Sequence, residues 1–505
     1  MLLALLGGSM VCSVWMANLV WVLLGLNWLL EGRWREKWQM AKENRALHLF
    51  AALYLLLAVA MLWTGNTDRG FSVLRSKMPL FFVPLVMLTS RPVTGKARQS
   101  ILAFYITAVL VVSIIGLVRM ITIPHLPYRD AVPYISHIRF SLNCCVVICL
   151  CLGGVLRSLR RPAQPVVTVG LTLLMLWMMV FVLLLHSYTA IAVLPVATLV
   201  VLLADQRRWV WLILWVLAVG SVALLTAREV KAYYTLSPLA EEPLRPLTAG
   251  GRPYEHAGHG VIENGNYIGN YICIEELRNE WNRRSSVNFD TLTSEGFTVE
   301  STLVRYLNAV GLTKDSAGVA MLTDAQVHDV EQGVANPVYL SRNPLRKMVY
   351  VILLEREFYH HTSVVSGFTM LQRFELWRAT VEVIKAHPWF GVGTGDVKDE
   401  MHAELERSGS TLSGTSKSPH NEYLSLTATF GLVGFILLLL LFLRTLLVRR
   451  PSCSPMMVAW LLAVLISFLT EDTLDTLAGI LFCTYFLAFR EPPCTNTTPC
   501  PTASK

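Results

Sequence analysis

Apolar residues in this chain gather into runs of roughly 20, parted by short polar loops and by one long polar interruption. Lipid offers the backbone no hydrogen bonds, so such runs predict membrane-spanning helices. They fall near 10–30, 46–63, 78–90, 101–121, 140–156, 165–185, 188–204, 209–226, 424–443, 456–470 and 476–489. The run at 78–90 is short and opens at Pro79. Gly7 and Gly8 could break the first stretch into two short helices, so the pattern predicts about 11 or 12 spans. The N-terminus is apolar from residue 2 without a basic leader, and residues 1–30 are expected to be membrane-embedded. The expected fold class is an all-α polytopic membrane protein, with one large outward loop before the last three helices.

The polar interruption, 227–423, is too long for a simple connection and large enough for a small core of its own. Residues 232–270 are rich in Gly, Pro and Asn and read as irregular. Residues 271–285, 297–311, 323–332 and 369–386 read as helices; Phe374, Leu376, Trp377, Val381 and Ile384 fall at helical spacing. No sheet or internal repeat is expected. The domains expected are a bundle over 1–226, a mainly helical loop domain over 227–423, helices over 424–490 and a disordered tail over 491–505.

Composition agrees with this class. The 505 residues are 54% hydrophobic and 15% charged, where soluble proteins carry about 25% charged residues. The net charge of +8 does not call for nucleic acid, because membrane proteins collect Lys and Arg in cytoplasmic loops. One alternating set of loops holds Arg33, Arg35, Lys37, Lys42 and Arg45; Arg91, Lys96 and Arg98; Arg157, Arg160 and Arg161; Arg207 and Arg208; and Arg444, Arg449 and Arg450. That is about 16 basic residues, against about 6 in the other set (Arg69, Arg75, Lys77, Arg119, Arg129, Arg139). The first set is expected to be cytoplasmic, which places 227–423 outside. Of ten cysteines, Cys144, Cys145, Cys149 and Cys151 share one apolar span with no His in reach, and read as small packing residues rather than metal ligands. The sequon at Asn496 falls on the cytoplasmic side by this orientation and reads as chance.

Candidate chemistry concentrates late in the outward segment. Arg373-Phe-Glu-Leu-Trp377 is followed by His387-Pro388-Trp-Phe-Gly391-Val-Gly393-Thr-Gly395-Asp396, then by Ser418-Pro419-His420-Asn421-Glu422-Tyr423 where the apolar run resumes. The glycines lack the strand–loop–helix setting of a nucleotide fingerprint and read as a turn or backbone nest, which could hold an anion. His420 sits at the membrane surface, as a catalytic group or a hydrogen-bonding residue. Arg373 is a candidate site cation or a helix-surface residue paired with Glu375 or Glu382. Arg75, Lys77 and Arg139 face outward and suit phosphate or phospholipid headgroups.

The spacing Arg373…Trp377…Pro388…Gly391-Val-Gly393…His420-Asn421-x-Tyr423-Leu424…Gly431-x-x-Gly434 resembles the signature of the O-antigen ligase and O-antigen polymerase superfamily of bacterial inner membranes. Ser136-His-Ile-Arg139-Phe-Ser141, Glu275-Glu276-Leu-Arg-Asn-Glu-Trp281, Arg305-Tyr306-Leu307 and Thr470-Glu471-Asp472-Thr473-Leu474 resemble a long-loop branch associated with Bacteroidota. The resemblance implies glycan transfer without nucleotide, metal or other cofactor. The donor would be an undecaprenyl-pyrophosphate-linked glycan and the acceptor a hydroxyl of the lipid A core, with the site facing the periplasm. It casts His420 as general base and Arg373 and Arg139 as pyrophosphate grips. Asn421 would orient the imidazole or the acceptor, and Arg75, Lys77, Tyr423 and the three glycines would line the substrate. Many relatives carry an Arg after Ser at the outer end of a middle helix. Here that place reads Ser187-Tyr188-Thr189, and Arg139 is the candidate replacement. An O-antigen polymerase and a protein O-oligosaccharyltransferase share the donor side and remain alternatives. A lipid-linked glycan transporter is the rival from another class, but the spans show no repeat and almost no internal charge.

Overall fold

The computed structural model describes residues 1–123, 126–160, 165–294, 296–341, 343–362, 369–414, 417–447 and 454–490. The helices run, in chain order, α1 (Leu2–Cys12), α2 (Val14–Leu30), α3 (Trp34–Glu43), α4 (Arg45–Val59), α5 (Thr67–Ser76), α6 (Pro79–Thr89), α7 (Gly95–Thr122), α8 (His137–Ser158), α9 (Pro165–Leu184), α10 (Tyr188–Leu203) and α11 (Arg208–Tyr234). After these come α12 (Pro238–Glu241), strands β1 (Ile262–Glu263) and β2 (Asn266–Tyr267), and α13 (Ile274–Arg284), α14 (Val299–Ala309), α15 (Ser316–Ala320), α16 (Asp324–Glu331) and α17 (Pro344–Thr362). The chain ends with α18 (Thr369–Ala386), α19 (Val397–Arg407), α20 (Glu422–Leu447), α21 (Pro455–Thr470) and α22 (Leu477–Thr484). The tail from Glu491, with its sequon, and Arg161, Arg449 and Arg450 lie outside the described residues.

Among the described residues, seven helices are long and apolar enough to cross a membrane, or eight when the bent pair α2 and α3 counts as one span. Leu2–Cys12, Tyr188–Leu203, Pro455–Thr470 and Leu477–Phe489 are shorter apolar helices. The protein is thus an all-α polytopic membrane protein. The first stretch does break in two, but at Ser13, whose extended backbone and hydroxyl cap the N–H of Met16 at the start of α2. Gly7 and Gly8 stay inside α1. A Cβ on Gly7 would collide with the Tyr485 ring and one on Gly8 with Phe104, so these glycines serve close helix packing.

Packing divides the chain into two compact units. One holds Met1–Val216 with the described residues from Arg373 onward; the other is Leu217–Gln372. The outward segment read as 227–423 is therefore shared between them. In the first unit, Cys144, Cys145, Cys149 and Cys151 are buried free thiols within the apolar core. The buried Tyr105 hydroxyl donates to Asn143 Oδ1 at 2.8 Å, joining α7 to α8.

Contacts between helix ends in this unit fall into two sets. Lys77 meets Asp475, Arg139 meets Asp472, Ser141 meets Ser187 and Thr189 meets Thr470. At the other ends Trp28 meets Thr89, Arg160 meets Asp205, and Arg490 binds the carbonyls of Met87, Leu88 and Ser90. Every pair joins ends that the positive-inside reading assigns to one side.

The second unit has its own core around Leu277, Trp281, Phe289, Leu303, Tyr306 and Leu307. The helices expected at 271–285, 297–311 and 323–332 are present as α13, α14 and α16. Thr323 and Gln326 form a capping box on α16. Residues 232–270, read as irregular, contain the short helix α12 and the hairpin β1–β2. Asn264 and Gly265, both at positive φ (52° and 76°), form its turn. Within this unit Arg305 grips the buried Glu263 with Nε and Nη2 at 3.1 and 3.0 Å, and Glu276 accepts from Thr248 and Ser316. Two of the family-like segments thus hold an interior together.

Candidate functional site

Lys77 follows α5, Arg139 lies in the first turn of α8, Arg373 in the first half of α18, and His420 just before α20. All four converge on one short stretch, Thr470–Asp475, which joins α21 to α22. Arg373 Nη2 lies 2.5 Å from Glu471 Oε1, and both side chains are almost buried. Arg139 Nη2 donates to the Asp472 carbonyl at 3.2 Å. Lys77 Nζ lies 2.8 Å from Asp475 Oδ1. Burial alone would raise the Asp475 carboxyl; the adjacent Lys77 ammonium outweighs it and holds that carboxyl below its ordinary range.

The local chain explains the placement of His420. Pro419 disfavours helix before it, and His420 itself turns the chain at φ 52° before α20 begins. That left-handed conformation costs a non-glycine residue roughly 1–2 kcal/mol. Asp472 holds it: its carboxylate accepts the backbone N–H of His420 at 2.7 Å, that of Asn421 at 3.2 Å and the Ser425 hydroxyl at 2.8 Å. The imidazole is half-buried, with Nδ1 4.0 Å from Asp472 Oδ2. That is beyond hydrogen-bond reach, so the carboxylate faces the ring without bonding to it. Glu422, fully buried, accepts the Leu474 N–H at 2.9 Å, so the same stretch is also tied to the first turn of α20.

Two buried polar atoms here have no hydrogen-bond partner among the described residues: Arg139 Nε and Glu422 Oε1. Such groups are rare in folded proteins, and an unsatisfied cationic donor suits an anionic ligand. Ser141, two residues on from Arg139, donates to Ser187 at 2.6 Å, and Thr189 bonds Thr470 at 2.7 Å.

Other expected site residues have different work. The glycine segment is not a nest open to an anion. Helix α20 is broken at Gly431 (φ 66°, ψ −175°), and residues 388–393 satisfy the backbone groups this frees. Val392 and Gly393 donate to the carbonyls of Ala428 and Thr429, while Leu432 and Val433 donate to those of Pro388 and Trp389. The N–H of Gly391 goes to His387 and that of Gly395 to Thr64. Side chains on Gly391, Gly393 or Gly395 would strike Ala428, Thr64 or Asn66. Gly391 and Gly393 therefore form, with Gly431, the joint of a broken helix, where irregular backbone is tolerated because its polar groups are met within the protein, while Gly395 packs against Thr64 and Asn66.

Asn421 caps α20: its Oδ1 accepts from Leu424 N–H and its Nδ2 donates to the Leu469 carbonyl, so its amide is committed to the fold. The Tyr423 hydroxyl donates to the Leu465 carbonyl of α21. Arg75 is exposed at the end of α5 and makes no ion pair among the described residues. The helix-surface pairing considered for Arg373 does not occur; Glu375 pairs with Arg378 and Glu382 with Lys385.

Sequence reasoning missed the acids. Glu471 and Asp472 drew notice only through the family-like Thr470–Leu474 segment, and Asp475 drew none. The signal was there, since carboxylates wedged between two apolar runs are costly unless paired.

Residues 347–439 match the family model described as O-antigen ligase, which takes in Arg373, the glycine joint and His420. No curated protein matches the chain.

Proposed function

We infer, from the match of residues 347–439 to the O-antigen ligase family model, that this chain is an O-antigen ligase. It joins a glycan carried on undecaprenyl pyrophosphate to a sugar hydroxyl of the lipid A core, at the periplasmic face of the inner membrane. The observation that carries this reading is the convergence of Arg139, Arg373, Lys77 and His420 on Thr470–Asp475, with one Arg139 N–H left unsatisfied.

A sugar hydroxyl is a weak nucleophile near neutral pH and needs a positioned base. With Nδ1 turned toward Asp472, Nε2 of His420 is the nitrogen that takes the acceptor proton. The acceptor oxygen bonds to the anomeric carbon from the face opposite the pyrophosphate. The bond from that carbon to the pyrophosphate oxygen breaks, and its electron pair leaves with undecaprenyl pyrophosphate. One displacement inverts the anomeric centre. Charge growing on the leaving oxygens is met by the guanidinium of Arg139, then by Arg373 and Lys77, which the pyrophosphate contests with Glu471 and Asp475.

The test is a gel of lipopolysaccharide from a strain lacking the protein beside one carrying His420→Ala. Bare core with accumulated lipid-linked polymer in both supports the ligase. Core bearing a single repeat makes it a polymerase. Normal lipopolysaccharide moves the acceptor elsewhere, with secreted glycoproteins the next place to look.

A further inference from the structure

Three rings meet beside the first turn of α8. Tyr128 stands in a single 3-10 turn, Tyr128–Asp130, which Arg119 of α7 anchors by donating from Nη2 to the Asp130 carbonyl at 3.2 Å. His137 is the first residue of α8, and His186 lies in the link between α9 and α10. The Tyr128 ring centre is 5.7 Å from that of His137 at 85°, and 4.9 Å from that of His186 at 43°. All three side chains are half-buried. Two features separate this cluster from ordinary packing. His137 makes no hydrogen bond with any described residue, although an imidazole carries two polar nitrogens. His186 turns the chain at φ 49°, a left-handed position after a helix that usually falls to glycine or asparagine. Its Nδ1 donates to the Leu184 carbonyl at 2.9 Å. The chain thus keeps a ring where a bare backbone would be easier.

We propose that Tyr128, His137 and His186 form the subsite for the pyranose joined directly to the donor pyrophosphate. The inference rests on the ligase reading and names the part of the donor that these residues meet. Arg129, Arg373 and Asp130 lie within electrostatic reach of the His137 ring, so the cluster adjoins a cation assigned to the pyrophosphate. His137 also precedes Arg139 by two residues, at the end of α8 that the positive-inside reading sets outside. The prenyl chain of the donor lies in the membrane and its glycan points away from it, which puts the first sugar on the His137 side of Arg139. A pyranose offers flat C–H faces to aromatic rings and hydroxyls to an imidazole. A prenyl chain has no hydroxyl for His137 to bond, and a phosphate has no apolar face for the rings.

Binding of two lipids to the full chain in nanodiscs tests it: undecaprenyl pyrophosphate, and the same lipid carrying a single glucose. The parent is expected to hold the glucose-bearing lipid about tenfold more tightly. His137→Ala combined with His186→Gly should abolish that preference and leave the sugar-free lipid bound within about twofold, which also shows that the variant is folded. Glycine takes φ 49° freely, so the second substitution relieves backbone rather than straining it. Tyr128→Leu keeps apolar bulk without a ring face and should lower the preference at least about threefold. A preference that survives in these variants, or an equal fall for both lipids, overturns the subsite. Loss of affinity for the acceptor with the donor preference intact would assign the rings to the acceptor sugar instead. A parent that binds both lipids alike removes the subsite alone; a parent that binds neither removes the ligase reading and the subsite with it.

Discussion

Asp472 accepts the backbone N–H of His420 at 2.7 Å and stands 4.0 Å from the Nδ1 of the same residue. One carboxylate thus holds the strained backbone of the proposed base and faces its ring. Asp472→Asn keeps the size but replaces one acceptor oxygen with a donor, against an N–H that already points at it. The turnover of lipid-linked donor in reconstituted vesicles is expected to fall about 100-fold, with KM for the donor changing less than about threefold. Wild-type turnover would remove Asp472 from the positioning role.

His420→Gly separates catalysis from strain. Glycine adopts φ 52° freely, so the variant should be as stable as the parent or more so by about 1 kcal/mol, and inactive. Thermal unfolding in detergent beside a transfer assay reads both. A large stability loss would mean that the imidazole itself holds the loop.

Arg139 and Arg373 should respond differently. Arg139→Lys keeps the charge and loses the fork, and is expected to weaken the apparent donor affinity about tenfold with little change in unfolding temperature. Arg373→Ala strands the buried Glu471 carboxylate and is expected to cost about 3–5 kcal/mol. Adding Glu471→Gln should recover part of that stability without restoring transfer. Arg139→Lys with unchanged donor affinity would take Arg139 out of the site.

Gly391→Ala and Gly431→Ala place a Cβ against the Ala428 carbonyl and the Trp389 carbonyl, in backbone that is already left-handed. Each should destabilise the protein by more than about 2 kcal/mol. Gly409→Ala, at φ 64° in open space, should cost only about 1 kcal/mol. Equal effects at the three positions in a detergent thermal-shift series would show that the joint is looser than the geometry implies.

Lys314, buried in the second unit, donates to the carbonyls of Tyr267 and Asn270 and to Asn308 Oδ1. Lys314→Met leaves these acceptors unsatisfied and should destabilise that unit by about 2–3 kcal/mol, read as faster hydrogen exchange over α13 and α14. Exchange at the parent rate would mean that water replaces the ammonium.

The chain by itself determined its class and most of its helices. Spans and the helices α13, α14, α16 and α18 rest on periodicity and capping, which act over a few residues and are written in those residues. The convergent cations were also legible one by one, because charge at the edge of an apolar run is costly and stands out. The sequence reading left Gly391, Gly393 and Gly395 as a turn or nest that could hold an anion because glycine reports only conformational freedom; their N–H groups go to His387, Thr429 and Thr64, and the last two partners lie some 35 and 330 residues away. Tertiary structure alone decided that Glu471, Asp472 and Asp475 are the partners of Arg373, His420 and Lys77. Those pairs join residues about 50 to 400 positions apart. A carboxylate's partner is set by which helix ends the packed bundle brings together, and no local pattern encodes it.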